Sequence, residues 1–175
     1  MSPIFTVGHG ARSLEELVEV LSNCEIELLV DVRRYPGSKR HPHFAKDSLA
    51  EALQKSGIDY DWWGKSMGGR RKADEASAVR HAGWEVEAFR AYASHMDTPE
   101  FREALGRLME ISAERPTAVM CSETLWWRCH RRLVADAIEA SGGKVVHLGM
   151  GKPQPHRMTE FARVDEAGLL AYDRT

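Results

Sequence analysis

Long apolar runs, cysteines and a large net charge are what this chain lacks, and each shortage removes a class of protein. No stretch approaches the roughly 18 consecutive apolar residues of a membrane span. The opening Met1-Ser2-Pro3-Ile4-Phe5-Thr6-Val7-Gly8 lacks the basic and apolar regions of a secretory signal. A cytoplasmic protein without membrane contact is therefore expected. Only three cysteines occur, Cys24, Cys121 and Cys129. An odd number without framework spacing suits a reducing compartment and excludes a disulfide scaffold. Repeats and low-complexity segments are also missing. With 175 residues, 43% of them hydrophobic and 29% charged, the chain is neither disordered nor long enough for two large cores. One domain over residues 1–175 is expected, with a core over 1–149 and a tail over 150–175.

Short apolar or β-branched runs at 4–8, 26–32, 58–63, 117–121 and 144–148 alternate with helical patterns. Ser13-Leu14-Glu15-Glu16 is a capping box that opens a helix with Leu14, Leu17, Val18 and Leu21 on one face. Ser48-Leu49-Ala50-Glu51 reads as a second box, and Thr98-Pro99 as the N-cap and first residue of another helix. Residues 84–96 also read as a helix, and a last one is expected from about Trp126 to Gly142. The connection 64–83 starts rich in glycine and basic residues and reads as a binding loop or a lid. Strands alternating with helices predict an α/β fold, a three-layer sandwich on a mostly parallel sheet of about five strands. Residues 159–164 and 169–172, joined through Asp165-Glu166-Ala167-Gly168, predict a C-terminal hairpin in the tail.

The net charge of -2 conceals a separation. Residues 32–46 hold five Lys or Arg and no acid, 64–72 hold four, 125–132 three and 149–158 two. More than half of the 24 basic residues thus sit in four acid-free windows, each following a predicted strand. In a parallel sheet these windows emerge on one edge, and a near-neutral protein then carries one positive face suited to a polyanion. Arg33, Arg34 and Ser38 in the first window, and Lys65, Gly68, Gly69, Arg70 and Arg71 in the second, are candidate binding residues. The alternative is that these cations only solvate loops.

Chemistry concentrates in Cys121-Ser122-Glu123-Thr124-Leu125-Trp126-Trp127-Arg128-Cys129-His130-Arg131, between a predicted strand and a predicted helix. Ligands gather at that position in open α/β sheets. Glu123 is a candidate catalytic carboxylate, or else a helix N-terminal acid favoured by the macrodipole. Asp31, near the end of its strand, should reach the same edge, or it caps the loop that follows. Trp126 and Trp127 diverge too far on a helix to face one core together, and an exposed indole beside Arg128 would stack on a base. His130 and Arg131 are cations at a helix N-terminus, an unfavourable place unless an anion binds there. His9, in Gly8-His9-Gly10, joins the candidate binding residues. The cysteines miss the C-x5-R of a cysteine phosphatase, the spacings of zinc sites and the zinc deaminase signature. No metal or cofactor is expected, and both thiols read as packing groups.

Assembled, these residues resemble the family of domains of unknown function numbered 488, over nearly the whole chain. The resemblance rests on Thr6-Val7-Gly8-His9-Gly10, Leu29-Val30-Asp31-Val32-Arg33-Arg34-Tyr35-Pro36-Gly37-Ser38, Met67-Gly68-Gly69, and Met120-Cys121-Ser122-Glu123 with Cys129-His130-Arg131. Gly10 departs from the family pattern, in which serine follows the Gly-His pair. The resemblance implies an α/β sandwich and a DNA-related role, and some relatives look like glycosylases that remove modified cytosines. It carries over to Asp31, Arg33, Glu123, Cys129, His130 and Arg131. The expectation is a nucleic-acid-processing enzyme, a DNA glycosylase that flips a modified base from the duplex. Glu123, Asp31 and His130 would be catalytic, and Arg33 and Arg131 would hold phosphates. The alternatives are a non-catalytic nucleic-acid-binding protein and an enzyme acting on a small anionic metabolite.

Overall fold

The computed structural model describes residues 2–37 and 39–173, with the side chains of all of these except 76–78. Five parallel strands form the centre: β1 (Ile4–Gly8), β2 (Leu28–Asp31), β3 (Asp59–Trp62), β4 (Thr117–Cys121) and β5 (Val145–His147). Their order is β3-β2-β4-β1-β5, and a two-residue strand, β6 (Gln154–Pro155), adds antiparallel to β5. The protein is thus the expected mostly parallel α/β sandwich, with one strand beyond the five that the pattern predicts.

Burial explains the order of the strands. Every residue of β4, the strand between β2 and β1, is buried, whereas β3 at the edge alternates exposed and half-buried positions. Along β4, Ala118 and Met120 pack on one face with Leu17 and Leu21 of α1 (Leu14–Asn23) and Leu49 and Leu53 of α2 (Lys46–Lys55). Val119 and Cys121 pack on the other face. There they meet Tyr92 of α5 (Glu87–Met96), Leu108 of α6 (Pro99–Glu114), and Leu133, Val134 and Ile138 of α7 (Arg131–Ala140). Each such side chain, fully buried, contributes about 1.5–3 kcal/mol relative to exposure. Two short helices, α3 (Gly64–Met67) and α4 (Glu75–Arg80), complete that side.

The connections fix where a site can form. After β1 and β2 the chain enters helices on one face, and after β3 and β4 it enters helices on the other. The chain therefore departs from β4 and from its two neighbours in opposite directions, which opens a crevice at their carboxyl ends. Register levels those ends, because Gly8 lies opposite Cys121 and Asp31 opposite Met120.

Several local expectations are met and others are corrected. Ser13 caps α1 with both bonds of the capping box, and Thr98 caps α6 with Pro99 at its first position. The second box does not form. A 3-10 turn at Pro42–Phe44 runs directly into α2, whose N-cap is Ala45, so Ser48 lies inside the helix. The segment 64–83 is no open loop, since α3 and α4 lie within it and Met67 is fully buried. Trp126–Arg128 form a 3-10 turn, extended backbone at Cys129 interrupts it, and the helix begins at Arg131. Among the described residues no helix is long and apolar enough to cross a membrane.

The tail is tied into the core as well as folded on itself. The expected hairpin is present as β7 (Arg163–Val164) and β8 (Leu170–Ala171). A buried polar chain anchors it. Asp136 on α7 accepts from His156 Nε2 at 2.8 Å, from the Thr159 N–H at 3.1 Å and from the Tyr172 hydroxyl at 2.8 Å. One polarity satisfies the chain with neutral rings: the Thr6 hydroxyl donates to His147 Nδ1, His147 Nε2 to His156 Nδ1, and His156 Nε2 to Asp136. Burial, the neighbouring His156 and the Arg131 charge push the His147 pKa down to about 3. Removing the carboxylate would strand three donors in the interior. Asp136→Ala is therefore expected to lower the unfolding free energy in urea by roughly 3 kcal/mol or more. A loss below about 1 kcal/mol, the net value of one ordinary hydrogen bond, would show that the tail is anchored elsewhere.

Candidate active site

An open cavity of about 810 Å³ occupies the crevice at the carboxyl edge. Its floor depends on the close approach of two strand exits. The N–H of His9 donates to the Cys121 carbonyl at 3.0 Å, and that of Gly10 to the Ser122 carbonyl at 2.9 Å. A Cβ on Gly8 would overlap the Glu123 carbonyl oxygen, and one on Gly10 would overlap the Thr124 hydroxyl. Gly10 also has φ +53°, where a side chain is strained. The Gly8-His9-Gly10 connection is glycine-rich because the turn carrying Glu123 rests on it.

Asp31 is fully buried and has no free acceptor face. Its Oδ1 accepts from the Arg33 N–H at 3.1 Å and Nε at 2.9 Å, and its Oδ2 from Arg33 Nη2 at 2.7 Å and from the Tyr60 hydroxyl. Burial and the adjacent Asp31 carboxylate push the Tyr60 pKa up, so the phenol keeps its proton and donates it. Arg33 in turn points Nη1 at His9 Nε2, 3.4 Å away. Because His9 Nδ1 donates to the Gly10 carbonyl at 2.8 Å, Nε2 is the ring's unprotonated acceptor. Burial, against the pull of that carbonyl, and the Arg33 charge lower the His9 pKa to about 4. Asp31 thus positions Arg33 and His9 and does not itself reach the cavity.

The carboxylate that does line the cavity is Glu123, on the exposed turn after β4. Its Oε1 accepts from the Leu125 N–H at 3.3 Å, which fixes the side chain loosely and leaves acceptor capacity free. Arg33, Arg34, Arg40, Arg70 and Arg128 share the lining. Three of the four acid-free windows therefore converge there, while 149–158 does not contribute. Among the described residues only Arg33 of these five pairs with a carboxylate. Arg34 and Arg70 lie 5.9 and 5.6 Å from the ring of Tyr35, which is 64% exposed. Arg70 holds φ +58°, a left-handed conformation uncommon outside glycine and characteristic of functional loops.

The remaining candidates divide. His9, Gly69 and His130 line the cavity. His130 Nε2 donates to the Val32 carbonyl at 3.1 Å, so its Nδ1 is an acceptor. Burial, opposed by that bond, and the charges of Arg131 and Arg71 lower its pKa to about 4. The ring is therefore not the cation that its place before the helix suggested from the sequence. Arg131 is no surface phosphate clamp: it is fully buried and its Nη2 donates to the carbonyls of Glu123 and Thr124. Arg71 donates to the carbonyls of Gly64, Lys65 and Gly68 and stabilises α3, and neither Lys65 nor Gly68 lines the cavity. Trp126 stacks on His147 at 4.3 Å between ring centroids, 4° from parallel, and Trp127 is 41% exposed, but neither indole lines the cavity. The 3-10 turn places Trp126 on the end of β5, with Trp127 edge-on against it and partly exposed. Ser38 lies outside the described residues.

Tyr35, Arg40, His41, Phe89 and Tyr92 line the cavity without having been singled out by their sequence context. The first three fall within the acid-free window 32–46 and were legible as part of it. Phe89 and Tyr92 arrive on α5 by tertiary packing, for which the sequence carries no local signal. The thiols of Cys121 and Cys129 meet in the same lining.

Residues 13–138 match the family model described as Domain of unknown function DUF488. No curated protein and no solved structure matches the chain.

Four histidines with lowered pKa values, His9, His95, His130 and His147, make stability depend on acid. Unfolded, each ring takes a proton below about pH 6.5; folded, each resists it further into acid, until about pH 4 for His9 and His130 and about 3 for His147. The unfolded state therefore binds more protons in that window, and stability falls as pH drops through it. Urea unfolding at pH 7, 6 and 5 should show a decline approaching about 1.4 kcal/mol per pH unit for each of His9, His130 and His147, shallower in His147→Gln. A flat profile between pH 7 and 5 would contradict the neutral rings.

Proposed function

The chain belongs to the DUF488 family, and we propose that it is a nucleic-acid-processing enzyme, a DNA glycosylase that hydrolyses the N-glycosidic bond of a modified base. The observation that carries this reading is one carboxylate, Glu123, on a cavity otherwise supplied with arginines and imidazoles. The substrate in this reading is a modified cytosine, flipped from a duplex.

Unpaired guanidiniums at a cavity mouth raise the local concentration of a polyanion and hold its phosphates, a role for Arg34, Arg40, Arg70 and Arg128. A cavity of about 810 Å³ has room for a flipped nucleotide. Tyr35, exposed and flanked by Arg34 and Arg70, supports stacking of a base in the place expected of the tryptophans. Cleavage of the glycosidic bond builds positive charge on the sugar, and a carboxylate held nearby stabilises that charge or takes the proton of the attacking water. Glu123 has that role. Asp31 acts through Arg33, which it orients, and His130 offers Nδ1 as an acceptor for a polar edge of the base. A reducing cytoplasm suits the three free thiols.

Duplexes carrying different modified cytosines, assayed for abasic sites, test the activity. Glu123→Gln should bind DNA with near wild-type affinity while single-turnover excision falls by roughly 10²-fold or more. Binding should weaken with salt by about 0.9 in log K per log salt for each phosphate neutralised, with a flatter slope in Arg70→Ala. Excision by Glu123→Gln at the wild-type rate would overturn the mechanism. Salt-sensitive binding without excision of any such base would identify a binding protein, and failure to bind even at low salt would remove the polyanion altogether.

A further inference from the structure

Cys121 ends β4, Cys129 stands just before α7, and the two Sγ atoms lie 2.9 Å apart in the lining of the cavity. That is about 0.9 Å longer than an S–S bond. Arg131 donates its backbone N–H to Cys129 Sγ at 3.3 Å, and its charge acts on both thiols. It is fully buried, its Nε and Nη1 have no hydrogen-bond partner, and no carboxylate pairs with it among the described residues. A buried guanidinium without a counter-anion is costly. A thiolate would supply the missing negative charge.

The two thiols are not equivalent. Burial raises the Cys121 pKa, but the Cys129 thiol, the Arg131 charge and the Glu123 backbone outweigh it and bring the value down to about 7. Cys129 goes the other way, pushed up by burial and by its neighbour's negative charge. Both thiols line the cavity, Cys129 Sγ accepts from the Arg131 N–H at 3.3 Å and Cys121 Sγ lies 3.5 Å from the Glu123 carbonyl, so either sulfur is within reach of a small oxidant and of the other. The direction of the two shifts favours attack by Cys121.

We propose that Cys121 and Cys129 are a redox-active dithiol, which a hydroperoxide converts to an intramolecular disulfide at the wall of the cavity. The Cys121 thiolate attacks the terminal peroxide oxygen; an S–O bond forms as the O–O bond breaks, and Cys121 becomes a sulfenic acid. The departing oxyanion takes the Cys129 proton. The Cys129 thiolate then attacks Cys121 Sγ, forming the S–S bond and expelling hydroxide, which recovers from solvent the proton that Cys121 had released. In sum two thiols and one hydroperoxide give one disulfide, one alcohol and one water; with hydrogen peroxide the alcohol is a second water. The disulfide bridges the base of the turn that carries Glu123.

Thiol counting and mass spectrometry test the pair without any nucleic acid, so the outcome is independent of the proposed substrate. Reduced wild-type protein treated with equimolar hydrogen peroxide should fall from three titratable thiols to one, Cys24, with the loss of two hydrogens from the intact mass. Trypsin cuts after Arg128, so the oxidised digest should contain Cys121 and Cys129 peptides joined until dithiothreitol separates them. In Cys129→Ser, dimedone should label Cys121; in Cys121→Ser it should leave Cys129 unlabelled. Three thiols remaining after peroxide, disulfide-linked dimers through Cys24, or preferential sulfenic acid at Cys129 would each overturn the proposal.

Discussion

The cavity depends on a buried positive charge that no carboxylate meets among the described residues. Arg131 spends one nitrogen on the carbonyls of Glu123 and Thr124 and leaves two others facing no acceptor. Isolated in the interior, that charge is unfavourable, and it adds to what its neighbours already feel: burial first and then Arg131 keep the His130 ring neutral, while against burial the Cys129 hydrogen bond and then Arg131 draw the Cys121 thiol toward ionisation. The same guanidinium holds the backbone of the turn after β4, and that turn fits only because Gly8 and Gly10 present no side chain to it. One residue at the start of a helix therefore couples the position of Glu123, the state of the thiol pair and the protonation of the nearest imidazole.

A second ionic arrangement, on the other side of β4, does the opposite. Asp31 and Arg33 neutralise each other almost completely out of water, with Tyr60 closing the last acceptor. Such a pair contributes little net stability, because desolvation offsets the attraction, but breaking it would leave a bare charge in the core. Its use is geometric. It aims Arg33 at His9 and sets one wall of the cavity, beside Arg34, Arg40, Arg70 and Arg128, which pair with no carboxylate among the described residues.

What the sequence disclosed follows the range of the interaction involved. The Ser13 box and the Thr98-Pro99 start are local and appear as read, and the strand pattern sufficed for the sandwich. The Ser48 box fails because Phe44, buried under α2, draws the helix start back toward Ala45, a tertiary effect that overrides a local motif. The convergence of three of the four basic windows was legible because a parallel sheet sends its strand exits to one edge; 149–158 lines no part of the cavity. The division of labour between the two candidate carboxylates was not. Asp31 and Glu123 have similar contexts in the chain, and only the positions of Arg33 and Tyr60 show that one is saturated and the other free. The indoles were misplaced for a related reason: a 3-10 turn in place of an α-helical one redirects two consecutive side chains, and His147, distant in the chain, captures Trp126.

If Glu123 faces a sugar on which positive charge develops, a cationic mimic of that sugar should bind in preference to a neutral one. Two duplexes that differ only in the residue at the target position, one a cationic pyrrolidine and the other a neutral tetrahydrofuran abasic analogue, should be compared by equilibrium binding at fixed salt. Wild-type protein should bind the cationic duplex at least tenfold more tightly, about 1.4 kcal/mol, and Glu123→Gln should abolish the difference while keeping its affinity for the neutral one. Equal affinity for both duplexes in the wild-type protein, or a preference that survives Glu123→Gln, would contradict it.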